Sequence, residues 1–315
     1  MQTETALNSK TKLSWKEKID RMKYEAKQNK EAYLFFAPFG ILFFVFVIFP
    51  VLISIVLSFT YFNMLQWPSW VGWENYIRLF LGDDVFLIAI QNTLVFSFIT
   101  GPVSYFLCLI FAWLINELKP KLRAFLTLLF YAPSISGQAF LIWTIMFSGD
   151  MYGYINGFLL RFGIIDRPII WLQEPQYMMT IVIIVVLWMS LGTSFLVFIA
   201  GLQGIDEKLY EAAAIDGIRN RWQELWYITL PSMRGYMMIG AILSITGSFA
   251  AAGQITALVG FPSTDYAVHT VMQHLEDYAN IRYEMGYASA IAVVLFATMV
   301  SLQKIIQRLL GKIGN

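Results

Sequence analysis

Residues able to do chemistry are few in this sequence, and those present stand apart. His269 and His274, the two histidines, have no metal-ligating partners at useful spacing, so no metal centre is expected. Cys108 is the single cysteine, which excludes a disulfide framework; within an apolar stretch it reads as a small buried residue. No Gly-x-x-x-x-Gly-Lys-Ser/Thr stretch occurs, and Gly311-Lys312 lacks the rest of a phosphate loop, so the chain is expected to hydrolyse no nucleotide. What remains is two stripes of small polar residues. Ser190, Thr193, Ser194 and Val197 follow i, i+3, i+4, i+7 spacing, as do Ser244, Gly247, Ser248 and Ala251, with Gln254 a turn beyond. Hydroxyls and an amide at that spacing serve either close helix packing or a path for a hydroxylated cargo, and both uses stay open. Trp143 and Trp188 are similarly divided between stacking platforms and packing or lipid-facing positions.

These residues sit in long apolar elements. Hydrophobic residues make up 58% of the 315 and charged residues 14%, against the roughly 25% charged that covers an ordinary soluble domain. The charges are also segregated. Uncharged or nearly uncharged stretches run Leu34–Trp73, Val85–Asn116, Ala124–Gly149, Pro175–Ile205, Gly235–Thr264 and Met285–Gln303. Each approaches or exceeds the ~20 apolar residues that cross a hydrocarbon core about 30 Å thick. The expectation is an all-α, polytopic membrane protein with six transmembrane helices, because lipid cannot satisfy the backbone of an open sheet. The stretches do not alternate, which excludes a β-barrel. A net charge of +1 gives no pull toward nucleic acid. About thirty mostly polar residues precede the first apolar run, so the start does not read as a secretory signal.

Orientation follows from the loops. All but four of the 22 Lys and Arg residues fall in the N-terminal arm, the second-to-third and fourth-to-fifth connections, and the C-terminal tail. Only Arg78, Arg161, Arg167 and Arg282 lie on the other side. Both termini are therefore expected in the cytoplasm. The division is a cytoplasmic arm over 1–33 and a transmembrane domain over 34–310. The arm carries Trp15, Ile19, Met22 and Ala26 at helical spacing, for a solvated helix or one lying on membrane lipid. Trp67, Trp70, Trp73 and Tyr76 cluster after the first span, as expected of headgroup anchors. No span contains a buried charge, which argues against ion coupling by a stand-alone secondary carrier. A membrane-embedded enzyme would need convergent His, Asp, Glu or Ser constellations, and none is visible.

One connection carries more information than the rest. Over Gly204–Pro231, Asp206 is a good N-cap, Glu207 suits a first helical turn, and Ala212, Ala213 and Ala214 favour helix. Gly217 fits the position that ends such a helix, and Asn220 caps a second one bearing Trp222, Leu225 and Trp226. Pro231 then marks entry to the fifth span. The pattern predicts a compact helix–turn–helix at about 206–230, outside the membrane.

Glu211-Ala212-Ala213, Gly217 and Ile228-x-Leu230-Pro231 resemble the EAA motif of bacterial binding-protein-dependent ABC importer permeases. Leu209-Tyr210-Glu-Ala-Ala-Ala-Ile-Asp216-Gly further resembles the carbohydrate branch. Val71-Gly-Trp-Glu-Asn-Tyr76, Asn92-Thr93 and Gly286-Tyr-Ala-Ser-Ala290 extend the likeness over about residues 30 to 310. One departure is a spacing of ten residues between Gly217 and Ile228 where the pattern has nine, with the surplus expected in the turn near Ile218–Asn220. The resemblance implies a type I importer permease in the bacterial plasma membrane. It implies coupling helices that dock on an ATPase through Glu211, Ala212, Ala213, Asp216, Gly217, Leu230 and Pro231. It implies a second related permease, two ATP-binding subunits that use ATP and Mg, and an extracytoplasmic binding protein delivering a sugar. Ser190, Thr193, Ser244, Ser248 and Gln254 would then face the path, and the chain itself would hold no cofactor.

Overall fold

A computed structural model describes residues 28–310, the side chain of Leu310 excepted. The amphipathic stretch expected before residue 28, and Gly311-Lys312, lie outside the described residues. Two compact units divide between Val56 and Leu57.

The first unit is dominated by one helix, α1 (Lys30–Leu57), whose most apolar window has no buried residue. At 28 residues it is about 42 Å long, enough to cross a bilayer with some tilt. A surface apolar on every side has lipid as its natural surrounding. Its π turn, Phe44–Ile48, stands just before Pro50, where a missing N–H and a ring next to the preceding turn disfavour regular α bonding.

The second unit opens with a short hairpin, β1 (Thr60–Tyr61) against β2 (Ser69–Trp70), in antiparallel register. The hairpin lies inside the first apolar stretch, Leu34–Trp73, where no strand was expected, and four paired residues leave the fold class unchanged. After α2 (Glu74–Leu81) comes α3 (Asp84–Asn116), capped by Asp83, which accepts from Phe86 N. Small residues line its buried side, among them Ala89, Thr93, Ser97, Gly101, Ser104, Cys108 and Ala112. That stripe lets neighbouring helices come close.

Next come α4 (Pro120–Ile135), α5 (Leu141–Met146) and α6 (Tyr154–Arg161). Beyond them α7 (Pro175–Met189) and α8 (Thr193–Gln203) are separated by a break at Ser190–Gly192. α9 (Glu207–Ile215) and α10 (Arg221–Ser232) form the connection singled out above, and α11 (Arg234–Phe249) leaves α10 at an 82° bend. α12 (Ala252–Val259), α13 (Val271–Glu276) and α14 (Met285–Leu310) complete the order.

The expected six spans meet the structure unevenly. Among the described residues four helices are long and apolar enough to cross a membrane, α7 and α8 counting together as one, and a fifth if α10 and α11 count as one bent span. The third expected stretch is divided into α4, about 24 Å long, and α5. Pro133 and Gly137, the latter at φ +65°, end α4 where a continuous span was expected. The fifth stretch is broken at Ala250–Ala251.

Three apolar clusters hold the second unit together. One joins α3, α8 and α11 through Cys108, Phe195, Phe198 and Met237. It depends on Gly240, where a Cβ would stand 2.4 Å from the Phe198 ring. A second joins α2, α3, α11, α13 and α14 around Phe86, Phe249 and Ile291. The third joins α5, α7 and α12 through Phe147, Val185 and Ile255. His269 and His274, expected in an external connection, are buried, His274 on α13, and their rings are bonded to one another.

Candidate functional site

Ser190, Thr193, Ser244, Ser248 and Gln254 all line one cleft of about 240 Å³. Ser190 sits in the break between α7 and α8, Thr193 opens α8, Ser244 and Ser248 lie on α11, and Gln254 lies on α12 beyond its break. Thr100 and Ser104 on α3, and Ser194 on α8, complete the polar wall. No charged side chain lines it. Thr193 is exposed and Ser190 and Gln254 half-buried, whereas Ser244 and Ser248 are buried. Thr100 and Ser104 escaped the sequence reading although the same signal was there, two hydroxyls at i, i+4 flanking Pro102. Trp143 and Trp188 do not reach the cleft; their rings meet each other edge to face at 5.6 Å.

The hydroxyl protons of this wall are mostly spent within the protein. Thr100 donates to Phe96 O at 2.7 Å, Ser104 to Gly101 O at 3.0 Å, Ser190 to Leu187 O at 2.6 Å and Ser248 to Ile245 O at 2.8 Å. Ser244 donates to Ser194 at 3.4 Å. Each oxygen keeps lone pairs to offer. The cleft thus presents many acceptors, the Gln254 amide as a donor and no charge, a surface suited to a partner rich in hydroxyls.

The second candidate site is the α9–α10 hairpin. Asp206 caps α9 by accepting from Lys208 N at 3.0 Å, and Asn220 caps α10 by accepting from Gln223 N at 2.8 Å. Gly217 has φ +95°, and the bond from Ile218 N to Ala213 O at 3.0 Å closes the turn as expected of a glycine-ended helix. Tyr210 on α9 meets Thr229 on α10, oxygen to oxygen at 2.9 Å. Arg221 bridges Glu117, at the end of α3, and Glu224. Trp222 meets the Trp113 ring of α3 at 5.1 Å.

The outward face of α9 is Glu211, Ala212, Ile215 and Asp216, all exposed. Ala213, expected beside Ala212 on that face, is turned inward and buried. The spacing explains it: positions 210 and 213 share one side of the helix, and Tyr210 is half-buried there. Leu230 and Pro231 are also half-buried, with Leu230 packed against the α3–α8–α11 cluster. The Asp216–Asn220 turn closes in the ordinary capped manner. The irregular stretch lies later, in a π turn at Leu225–Thr229, which takes up one residue more than an α turn would.

Several apolar helices, an uncharged hydroxyl-lined cleft and a capped helical hairpin at the Asn116 end of α3 define a multi-pass membrane permease. The chain belongs to the permease family of ABC transporters. It is 32% identical over 275 residues to the probable ABC transporter permease protein YesP of Bacillus subtilis, covering 85% of this chain and 86% of that one. It is 33% identical over 218 residues to the lactose transport system permease protein LacF of Rhizobium radiobacter, covering 69% and 72%. The arabinooligosaccharides transport system permease protein AraP of Bacillus subtilis is 29% identical, with 89% of this chain and 88% of that one covered. No family model matches the chain. The fold is shared with a chain of a bacterial ABC transporter involved in import of the acidic polysaccharide alginate, with a TM-score of 0.75 at 22% identity over 94% of this chain and all of that one. This is a non-catalytic subunit; in such a family ATP hydrolysis belongs to a separate chain.

Proposed function

We propose that this permease carries a neutral carbohydrate inward, delivered by an external binding protein and driven by ATP and Mg in separate ATPase subunits. The single observation behind the cargo reading is the cleft. Five residues singled out for hydroxyl chemistry converge on one uncharged, acceptor-rich surface. The names of the relatives support the class, since LacF belongs to a lactose system and AraP to an arabinooligosaccharide system. A related fold occurs in an alginate transporter crystallised with a pentasaccharide-bound periplasmic protein, which supports an external binding protein here too. The hairpin is the docking element for the ATPase: Glu211, Ala212, Ile215 and Asp216 meet the partner, Ala213, Leu230 and Pro231 hold the hairpin to the spans, and Gly217 shapes the turn. The Lys and Arg distribution supports a cytoplasmic hairpin and cytoplasmic termini. A second, related permease completes the path.

The test is uptake by proteoliposomes holding the whole transporter, with loaded binding protein outside and ATP inside. Labelled neutral oligosaccharides should accumulate, and a uronic acid oligomer of equal length should not. ATP-independent accumulation by this chain alone, following an imposed ion gradient, would overturn the reading.

A further inference from the structure

Neither the cleft nor the hairpin uses the chain's two histidines, yet His269 is 1% and His274 2% exposed. His274 lies on α13, which a capping box between Thr270 and Gln273 opens. Its Nε2 stands 3.1 Å from Asp83 Oδ2, and its Nδ1 stands 3.2 Å from Nε2 of His269. Chemistry assigns the protons in this row. An ionised carboxylate only accepts, so His274 Nε2 donates to Asp83. Neutral His274 then offers a bare Nδ1, and His269 Nε2 must donate to it. That leaves His269 Nδ1 a bare lone pair, and it is buried without a partner. Asp83 is fully engaged: Tyr287 donates to it at 2.7 Å, Tyr278 at 3.4 Å, and Phe86 N at 2.9 Å.

Of the groups around the row, Asp83 and Asp277 favour a further proton on His274, but burial outweighs both. Tyr278 and Phe86 face His274, and Tyr266 and Phe261 face His269. The nearby cations are Arg282, paired with Asp277, and Arg78, paired with Glu284. Wherever a proton is added, an N–H replaces the lone pair at His269 Nδ1. If His274 takes it, His269 must change tautomer and turn its N–H into the same partnerless position. A buried donor without an acceptor is costly, and so is a buried cation. Burial above all, then the neighbouring His274, pushes His269 down to about 4, and burial also lowers His274 against the pull of Asp83. Both are free to charge once the segment opens. The closed form is therefore fully favoured above the ordinary histidine value of about 6.5, and loses its advantage as pH falls from there toward about 4.

The row also reaches the cleft. Asn92 of α3 donates to the carbonyls of Tyr266 and His269, and Val271 N donates to Thr93, so the segment before α13 is tied to the Asp83 end of α3. Beside His274, Gln273 donates to Thr256 at 2.9 Å. Thr256 lies on α12, two residues from Gln254.

We propose that Asp83, His274 and His269 form a proton-sensitive latch that positions α12, and with it Gln254, at this end of the cleft. Two neutral imidazoles keep it closed, and protonation of either releases it. Its bearing on transport rests on the reading of the cleft given above; the latch itself does not.

Hydrogen exchange on the intact chain in lipid nanodiscs tests it without measuring transport. Backbone protection over residues 254–281, corrected for intrinsic exchange, should fall on the order of tenfold or more between about pH 7.5 and about 4.5, with α8 unchanged. His269→Phe keeps a ring without a titrating nitrogen and should cut that loss severalfold. Exchange at the histidine C2 position, read by mass spectrometry, gives each titration in the unaltered protein, so the outcome does not depend on whether the variant folds. Both histidines should titrate below about 6.5, His269 the lower. Constant protection in the wild type, an equal loss in His269→Phe, or either histidine titrating at or above about 6.5 would sink the latch. Failure of the cleft reading would appear only in cargo uptake, so the two failures are distinguishable.

Discussion

Gly217→Val tests whether the hairpin turn couples ATP hydrolysis to transport. Gly217 has φ +95°, and a Cβ built there meets no atom within 4 Å. A side chain thus has room, and any loss is conformational. Left-handed backbone costs an L-residue roughly 1–2 kcal/mol, and a β-branched one is disfavoured most. An energy of that size shifts the balance between the closed turn and its alternatives by about five- to thirtyfold. The alternatives lose the Ile218 N to Ala213 O bond and with it the angle between α9 and α10. A graded series separates backbone from side chain: Asn tolerates positive φ best, Ala less, Val least. In the assembled transporter, ATPase activity stimulated by loaded binding protein should fall in the order Gly, Asn, Ala, Val, with membrane insertion unchanged. Wild-type stimulation in the Val variant, with all subunits co-purifying, would refute the turn as a coupling element. Equal losses in Asn, Ala and Val would show that added bulk, not φ, is what matters.

Glu211→Lys reverses a charge on the exposed face of α9 and should weaken ATPase retention, since stranding a buried interfacial charge costs about 2–5 kcal/mol; unchanged retention would remove Glu211 from the interface. Thr193→Trp and Ser190→Trp should block uptake while assembly persists, because both side chains have an accessible edge on the cleft. Ser248→Trp should instead disturb assembly: Ser248 is buried, and a Cβ on Gly101 would already lie 3.4 Å from its Oγ. Gly240→Val should destabilise the spans by about 1–3 kcal/mol or more, read as lower thermal stability in detergent, because a Cβ there overlaps the Phe198 ring.

What could be read from sequence was local. Asp206, Gly217 and Asn220 each act on backbone within a few positions, so residue type and spacing sufficed to place both caps and the turn. The small-polar stripes were legible for the same reason, as i, i+3, i+4 spacing puts residues on one face whichever neighbour that face meets. Ala213 was not, because a nine-residue helix with exposed and apolar residues mixed gives no clear inward side until Tyr210 is seen against Thr229. The histidine row was least accessible: Asp83 lies 191 residues from His274, and no spacing rule links them. The break after α4 did carry a signal, Pro133 followed by Gly137, but the uncharged run from Ala124 to Gly149 outweighed it.

Two of the helix interruptions share one location. The Ser190–Gly192 break and the Ala250–Ala251 break both flank the hydroxyl cleft, and Pro102 of the continuous α3 stands between its lining residues Thr100 and Ser104. Broken helices leave carbonyls and N–H groups unpaired, and hydrocarbon offers them nothing, so irregular backbone at membrane depth survives only inside protein or beside water. Part of the demand is met within the protein, as where Cys108 Sγ reaches Ser190 O at 3.3 Å. What fills the cleft faces its hydroxyl wall. Water can fill it, and so can a molecule whose hydroxyls replace water bond for bond, which is what a neutral sugar offers and an ion does not.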